Sequence, residues 1–227
     1  MDEKSKTVAS ILLMVTGMAI VGVIDNFVKF IAIEIGLWQF HFLRSLIAVP
    51  VIVLFGLAVG WKLKPKRIWP VLGRNMFLAS AMFIYFGSLG FFPISAVAAG
   101  LFTAPVLVML IDAVWSRRAI GPIRLMTAFA GFVGTLMVLN PEVGGLSWAN
   151  LIPVIAGLMY AFGNVATRKW CEGESAVALL WSYMFLMLIF GGIGILYFYF
   201  IPGDQNNYLT RAWVWPSFQV WIWIIIQ

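Results

Sequence analysis

Residues 8–60 read VASILLMVTGMAIVGVIDNFVKFIAIEIGLWQFHFLRSLIAVPVIVLFGLAVG. Two apolar runs, 8–33 and 36–60, are separated only by a short turn around Glu34 and Ile35. Each run exceeds the roughly 20 residues that cross a hydrocarbon core of ~30 Å. No small-residue cleavage site follows the first run, so we interpret it as an uncleaved helix. The stretch therefore predicts an antiparallel pair of transmembrane helices.

The composition of the whole chain agrees with a membrane protein. Of its 227 residues, 63% are hydrophobic and only 11% are charged, which excludes a soluble globule, a disordered chain and a coiled coil. The single cysteine, Cys171, excludes an intrachain disulfide and a cysteine metal cluster. The net charge of +6 comes from basic residues in short gaps between apolar runs, where they act as orientation signals and do not indicate a nucleic-acid partner.

Further apolar runs predict more helices near 73–92, 94–115, 121–139, 148–168 and 176–201, and an eighth that starts near 213. Twelve of the 15 basic residues fall in gaps on one side of these helices, whereas the opposite gaps carry only Arg211. By the positive-inside rule we expect a multi-pass protein of the bacterial inner (plasma) membrane with a cytoplasmic N-terminus. The twelve residues are Lys4, Lys6, Lys62, Lys64, Lys66, Arg67, Arg74, Arg117, Arg118, Arg124, Arg168 and Lys169.

Ionisable side chains inside the predicted helices are candidates for function, because a charge in hydrocarbon is costly. In the hairpin, residues at equal depth have numbers that sum to about 69, so Asp25 and Arg44 face one another about 12 Å below the outer turn. One interpretation is a polar, outward-opening cavity lined by this pair with Asn26 and His41. The other is a neutralised structural clamp. For His41 alone, a satisfied hydrogen bond between helices competes with a proton-relay role.

At the cytoplasmic end of helix 4, Asp112 indicates charge pairing beside Arg117 and Arg118 at the membrane interface. No second histidine accompanies His41, so no intramembrane metal site is expected.

Prolines, small residues and aromatic residues supply the remaining signals. Pro50, Pro105 and Pro153 fall within predicted helices, where proline kinks a helix and serves as a candidate hinge. Small pairs such as Ala96/Gly100, Thr127/Gly131 and Ala130/Gly134 predict close helix packing. Six further side chains each need a hydrogen-bond partner within the membrane. One interpretation gives each of them a structural hydrogen bond, and the other has the set line a site for an organic solute. They are Tyr85, Tyr160, Asn164, Trp181, Ser182 and Tyr183.

An internal repeat relates the two ends of the chain. Residues 17–29 align without gaps on residues 157–169, with identity at both ends. The match predicts a first five-helix repeat over 8–140 and an incomplete second repeat over 148–227, made of helices 6, 7 and the start of 8. An odd number of helices inverts the second copy in the membrane, which is the architecture of many secondary transporters. Because the chain stops within an apolar run, we expect a truncated sequence.

Several motifs resemble the EamA-type drug/metabolite transporter superfamily. They are Phe42-Leu-Arg44-Ser, Arg74-Asn-Met-Phe-Leu-Ala-Ser, the small-residue run from Ile94 to Pro105, and the glycine pair Gly131 and Gly134. The resemblance implies ten helices in two inverted five-helix repeats around a central cavity, and a function in moving metabolites, amino acids or drugs. The family's acidic residue at the end of helix 4 is replaced here by Arg117-Arg118. The Asp25-Asn26 and Phe42-Leu-Arg44 pattern is similar to S-adenosylmethionine uptake members.

The sequence thus predicts an all-α polytopic membrane protein that moves small organic solutes by alternating access, without a cofactor, a metal or a catalytic residue. Its expected partners are the lipid bilayer and the solute, and a homodimer is an assembly that we consider. The alternative is an integral-membrane enzyme that uses Asp25, His41 and Arg44 as an acid/base and anion-binding set; no second carboxylate or nucleophile accompanies them.

Cys171 provides a test of the topology. A membrane-impermeant thiol reagent should leave Cys171 unmodified in intact cells and label it after permeabilisation. Labelling in intact cells would contradict the charge-based orientation.

Overall fold

The computed structural model describes residues 3–117, 120–139 and 148–227, and within these ranges all regular structure is helical. Two single turns of 3-10 helix, Asp25–Phe27 and Trp148–Leu151, adjoin the α-helices. The α-helices are α1 Glu3–Ile24, α2 Val28–Glu34, α3 Leu37–Val59, α4 Ile68–Ser88, α5 Ile94–Leu101, α6 Ala104–Ser116, α7 Pro122–Leu139, α8 Ile152–Trp170, α9 Ala176–Phe200 and α10 Phe218–Ile226.

In the described ranges, four helical segments are long and apolar enough to cross a membrane, as expected for a multi-pass membrane protein. They are Ile11–Glu34, Leu37–Val59, Ile94–Ser116 and Ala176–Phe200. Three predicted helix starts are wrong: helix 1 starts at Glu3 instead of 8, helix 3 at Ile68 instead of 73, and helix 8 at Phe218 instead of 213. The last shift arises because the residues before Phe218 form a loop that packs on the α2/α3 turn.

This loop, residues 201–217, packs on the turn of the α2/α3 hairpin, and we call it the outer loop. The Arg211 guanidinium donates to the carbonyl of Ile33 at 2.8 Å, which satisfies an acceptor in the last turn of α2. The carboxylate of Glu34 accepts hydrogen bonds from the amide and hydroxyl groups of Ser217, the residue that precedes α10. The Leu37 amide donates to the carbonyl of Tyr208 at 3.0 Å. The loop therefore links the end of α9 to the hairpin turn.

Helix 1 is interrupted at Asp25–Phe27, where α1 passes through a 3-10 turn into α2. No proline or glycine lies in this turn. Instead, the Asn26 side-chain amide donates to the carbonyl of Gly22 at 2.8 Å, one turn earlier. Such back-bonding by asparagine competes with the helical backbone pattern and favours a local change of helix type. The break places Asp25 at the point where the helix tightens.

Helix 4 is also divided, between α5 and α6 at Phe102 and Thr103. Pro105 lies in the first turn of α6 and has no amide hydrogen, so the preceding helix cannot continue its bonding pattern through it. At the division, the Thr103 hydroxyl donates to the carbonyl of Gly100 at 2.6 Å. Part of the backbone hydrogen bonding lost at the break is therefore replaced by a side chain.

Glycines allow the closest helix contacts. A Cβ atom on Gly157 of α8 would lie 2.5 Å from the carbonyl oxygen of Gly100, so α8 crosses helix 4 at its break. On α9, Cβ atoms at Gly191 and Gly194 would collide with the backbone of α3 and the ring of Trp38, so these glycines allow α9 to pack closely on α3. The α7 glycines do not make the close helix contact that was predicted for them among the described residues. A Cβ at Gly131 or Gly134 would meet no described atom within 4 Å.

Cys171 lies directly after α8 and is only 4% exposed, packed with Val71 and Leu179. Burial also raises the pKa of its thiol, which lowers the fraction of reactive thiolate. Cys171 therefore reacts slowly from either side of a membrane. The topology test is better made with Lys64→Cys in a Cys171→Ser chain, because Lys64 is exposed in the loop between α3 and α4.

A pair of matched glycine substitutions tests the crossing of α8 and helix 4. Gly157→Ala should destabilise the folded protein by about 1–3 kcal/mol, because the added methyl group meets backbone atoms that cannot move aside. Gly134→Ala, in open surroundings, should leave stability unchanged or raise it by up to about 1 kcal/mol. Thermal unfolding of the two variants in detergent provides the measurement, and equal unfolding temperatures would contradict the crossing.

Candidate functional site

Asp25 is the carboxylate at the helix 1 break. The Tyr85 hydroxyl of α4 donates to its Oδ2 at 3.4 Å. Arg44 of α3 also acts on Asp25 electrostatically, so both groups face the same region of the hairpin. Among the described residues, however, Asp25 forms no direct ion pair with Arg44 or with Lys29, which is exposed. The carboxylate therefore keeps capacity to accept further hydrogen bonds.

Arg44 packs against two neighbouring aromatic rings. Its Cζ atom is 5.5 Å from the centroid of the Phe40 ring and 5.5 Å from that of the Phe86 ring, which are cation–π distances. Its Nε atom is buried without a hydrogen-bond partner in the described part of the chain. The guanidinium is thus stabilised by ring faces, while at least one N–H donor is unused.

His41, one turn before Arg44, is fully buried. Aromatic rings surround it, with the Phe83 centroid 4.5 Å and the Phe86 centroid 5.2 Å from the imidazole. Neither ring nitrogen has a hydrogen-bond partner among the described atoms, so the predicted satisfied hydrogen bond between helices is wrong. A buried polar group left without a partner costs roughly 1–3 kcal/mol.

Tyr208 brings the outer loop into the same region. Its hydroxyl is buried, has no hydrogen-bond partner among the described residues, and interacts electrostatically with Arg44. Burial raises the pKa of Tyr208, so its hydroxyl stays protonated and can donate a hydrogen bond. Nothing in the sequence indicated Tyr208, because it follows the predicted helix in an irregular loop. Its position depends on how that loop folds back.

Tyr183 of α9 completes the set from the opposite side. It forms a side-chain hydrogen bond with Arg44 of α3 and interacts electrostatically with Arg74 of α4. We define the central polar cluster as the six side chains that converge here from α3, α4, α9, the helix 1 break and the outer loop. Five of them, including Tyr183, were expected from the sequence as site residues, whereas Tyr208 was not. The members are Asp25, His41, Arg44, Tyr85, Tyr183 and Tyr208.

Other predicted site residues use their polar atoms elsewhere. The Asn26 side-chain amide donates a hydrogen bond to the α1 backbone. The Asn164 side-chain amide donates to the carbonyl of Tyr160 at 2.8 Å, within α8. The Trp181 indole donates to the carbonyl of Leu63, in the loop between α3 and α4. The structure therefore does not bring Asn26, Asn164 or Trp181 into the central polar cluster. Tyr160 lies within electrostatic range of Tyr183 at the edge of this cluster.

Arg74 was interpreted as an orientation signal, but it lies within α4 and is partly buried. Its guanidinium donates to the Thr167 hydroxyl at 2.9 Å and to the Asn75 carboxamide oxygen at 2.7 Å. Asn75 in turn donates to Ser182 at 3.1 Å. This network joins α4, α8 and α9. It was missed because helix 3 was predicted to start at 73, which left Arg74 at the helix end.

Asp112 forms the predicted charge pairing, but with other partners. Its carboxylate lies 3.3 Å from the Lys169 Nζ and 3.6 Å from the Arg168 guanidinium, both at the end of α8. Arg117 follows α6 and Arg118 lies outside the described residues. Residues of helix 6 thus replace the sequence neighbours that were expected to pair with Asp112.

The three prolines occupy different positions in their helices. Pro50 lies inside α3, which continues from Leu37 to Val59. Pro105 follows the division of helix 4. Pro153 lies in the first turn of α8, where proline is tolerated without a kink, so the expectation of a helix-interior proline is wrong there. In the described ranges, no three His, Cys, Asp or Glu side chains are grouped so as to hold a metal ion.

Comparison with known proteins gives related transporters. No family model matches the chain. A riboflavin transporter of Rhizobium johnstonii is 26% identical over 166 residues, which are 73% of this chain and 54% of the relative. An S-adenosylmethionine uptake transporter of Rickettsia bellii is 22% identical over 177 residues, or 78% of this chain and 56% of the relative. The chain thus spans about half the length of these curated relatives.

A solved crystal structure has a similar fold. It superposes with a TM-score of 0.65 at 18% identity and covers 88% of this chain and 67% of the other. At this identity the likeness concerns the fold alone. The curated relatives are named as transporters and not as enzymes, in agreement with a membrane protein that is not an enzyme.

His41 provides a test of the cluster. His41→Leu should raise the free energy of unfolding by about 1 kcal/mol, because it replaces two unpartnered nitrogens by apolar atoms among phenylalanine rings. Chemical unfolding of both proteins in detergent measures the change. Destabilisation by the leucine would indicate that the imidazole does have polar partners in the folded state.

Proposed function

We propose that this chain acts as a secondary transporter of small organic solutes, of the EamA-type drug/metabolite transporter superfamily, that works by alternating access. The observation that carries the proposal is the central polar cluster, where His41, Arg44 and Tyr208 keep buried polar atoms without partners among the described residues. A structural clamp would pair these atoms with one another. Polar atoms that are buried and unpartnered are suited to a solute that supplies the missing hydrogen bonds.

The packing of the helices supports inverted repeats over 8–140 and 148–227. In that arrangement helix 1 (α1 and α2) corresponds to helix 6 (α8), helix 2 (α3) to helix 7 (α9), and helix 3 (α4) to helix 8 (α10). The contact of α4 with α8 then corresponds to that of α10 with α2, and the contact of α4 with α9 corresponds to that of α10 with α3. The two-fold relation exchanges α3 and α9, so the contact between these two helices is its own counterpart. All of these pairs pack together, as a two-fold relation requires.

The helix breaks are candidate sites of movement in such a transporter. Asp25–Phe27 interrupts helix 1 beside the cluster, and the division before Pro105 lies where α8 crosses helix 4. Broken helices beside a midplane site are typical of secondary transporters. We therefore assign the hinge role first to Pro105, whereas Pro50 and Pro153 lie in helices without a break at the proline. The orientation with a cytoplasmic N-terminus in the bacterial inner membrane is part of the proposal.

Riboflavin and S-adenosylmethionine are the first solutes to test, since related proteins are named for their transport. Cells that lack riboflavin uptake and express the gene that encodes this chain should accumulate riboflavin, or S-adenosylmethionine in a matching assay. Asp25→Asn should lower the rate at least about 10-fold, as expected when an acceptor for charged and polar groups is lost. Asp204→Asn, in the exposed outer loop, is the matched control and should retain the rate.

Two results would contradict the proposal. One is accumulation no greater than in cells without the chain, for both solutes. The other is equal loss of uptake in the Asp25 and Asp204 variants at equal protein levels, which would place the effect outside the central polar cluster.

A further inference from the structure

The geometry around Arg44 points to the chemical group that the transported solute must carry, and this inference rests on the proposed function. Phe40 and Phe86 are each centred 5.5 Å from Cζ, and their centroids are 5.2 Å apart, so both rings lie on the same side of the guanidinium. A ligand stacked on that side would have to displace one of these rings. We therefore consider the N–H edge, where Nε–H has no described partner, as the part of Arg44 that meets a solute.

The Nε–H on that edge is unused within the described part of the chain. A guanidinium presents its N–H groups as a planar fork, which binds two adjacent coplanar acceptors at once. No carboxylate of the described residues occupies the fork as a direct ion pair. Arg74 differs, because Thr167 and Asn75 already accept its hydrogen bonds. Of these two partly buried arginines, Arg44 is the one whose Nε–H has no partner among the described residues, although Tyr183 forms a side-chain hydrogen bond with its guanidinium.

We propose that Arg44 is the specificity-determining residue of the cluster and that it binds a planar edge with two adjacent acceptors on the solute. A carboxylate has such an edge. A conjugated heterocycle in which a carbonyl oxygen lies beside an unprotonated ring nitrogen has one as well. His41 and the Tyr208 hydroxyl, which also interact electrostatically with Arg44, are further polar groups without a partner among the described residues.

This chemistry relates two solutes that otherwise differ. Riboflavin is uncharged at neutral pH, but its ring system places a carbonyl oxygen beside N5 on one edge and beside N1 on another. S-adenosylmethionine carries a positive sulfonium group, but its amino acid end has a carboxylate. A site selected for net charge would separate these two molecules. A site selected for a two-acceptor edge accepts either of them.

The test compares each solute with an analogue that lacks one acceptor. Purified chain in detergent is titrated with riboflavin, 5-deazariboflavin and 1-deazariboflavin by flavin fluorescence, and with S-adenosylmethionine and its decarboxylated form by equilibrium dialysis. For the solute that binds, we expect the form without the contacted acceptor to bind at least about 10-fold more weakly. Decarboxylation removes the edge from S-adenosylmethionine, and one of the two deaza substitutions interrupts it in riboflavin.

The arginine is then replaced. Arg44→Lys keeps the charge but removes the fork, so affinity for the parent solute should fall to that of the weaker analogue, while the analogue's own affinity changes little. Arg74→Lys is the matched control in a neighbouring helix and should keep the difference between solute and analogue. If Arg44→Lys fails to fold, the analogue series on the unmodified chain decides the matter alone.

The outcomes separate the two levels of the proposal. Equal binding of a solute and all its analogues, or a difference that persists in Arg44→Lys, would overturn the assignment of Arg44 and leave the transporter proposal standing. Absence of binding by both solutes would overturn the proposed function with these solutes, and the role of Arg44 with it.

Discussion

A backbone carbonyl released inside an apolar region must find another donor, and this constraint governs the breaks in the structure. At the helix 1 break, Asn26 donates to Gly22 from within the helix, and the Gln227 side chain donates to the carbonyl of Ile24 at 2.8 Å. At the helix 4 division, the Thr103 hydroxyl donates a hydrogen bond to the carbonyl of Gly100. Each interruption is accompanied by a polar side chain that supplies the donor, so the breaks are stable features of the helices.

The same requirement gives meaning to the atoms that remain unsatisfied. Arg74 is partly buried and its guanidinium is hydrogen-bonded to α8 through Thr167. Arg44 and His41 are also within the helices, yet they keep polar atoms without partners and are surrounded by phenylalanine rings. The chain thus satisfies its polar groups where helices must be joined. Unused donors are concentrated where we place the solute.

Glycines and the outer loop bring the cluster together. Gly191 and Gly194 let α9 approach α3 closely enough for Tyr183 to act on Arg44. Arg211 and Glu34 hold the outer loop on the hairpin turn, which carries Tyr208 into the interior. Neither contact involves residues that are near in sequence. Close backbone approach and loop docking therefore determine which polar groups share the site.

The sequence by itself determined the all-helical membrane class and the α2/α3 hairpin, because the length of each apolar run can be read directly from it. It also determined the candidates Asp25, His41 and Arg44, because an ionisable residue within an apolar run is costly and therefore rare. It did not determine that Asp112 pairs with α8, that Arg74 is part of a network, or that Asn164 and Trp181 serve the backbone. Nor did it indicate Tyr208. These contacts depend on helix rotation and on the path of an irregular loop. Hydropathy indicates how deep a residue lies in the membrane but not which way its side chain points, so only the tertiary structure decided which side chains meet.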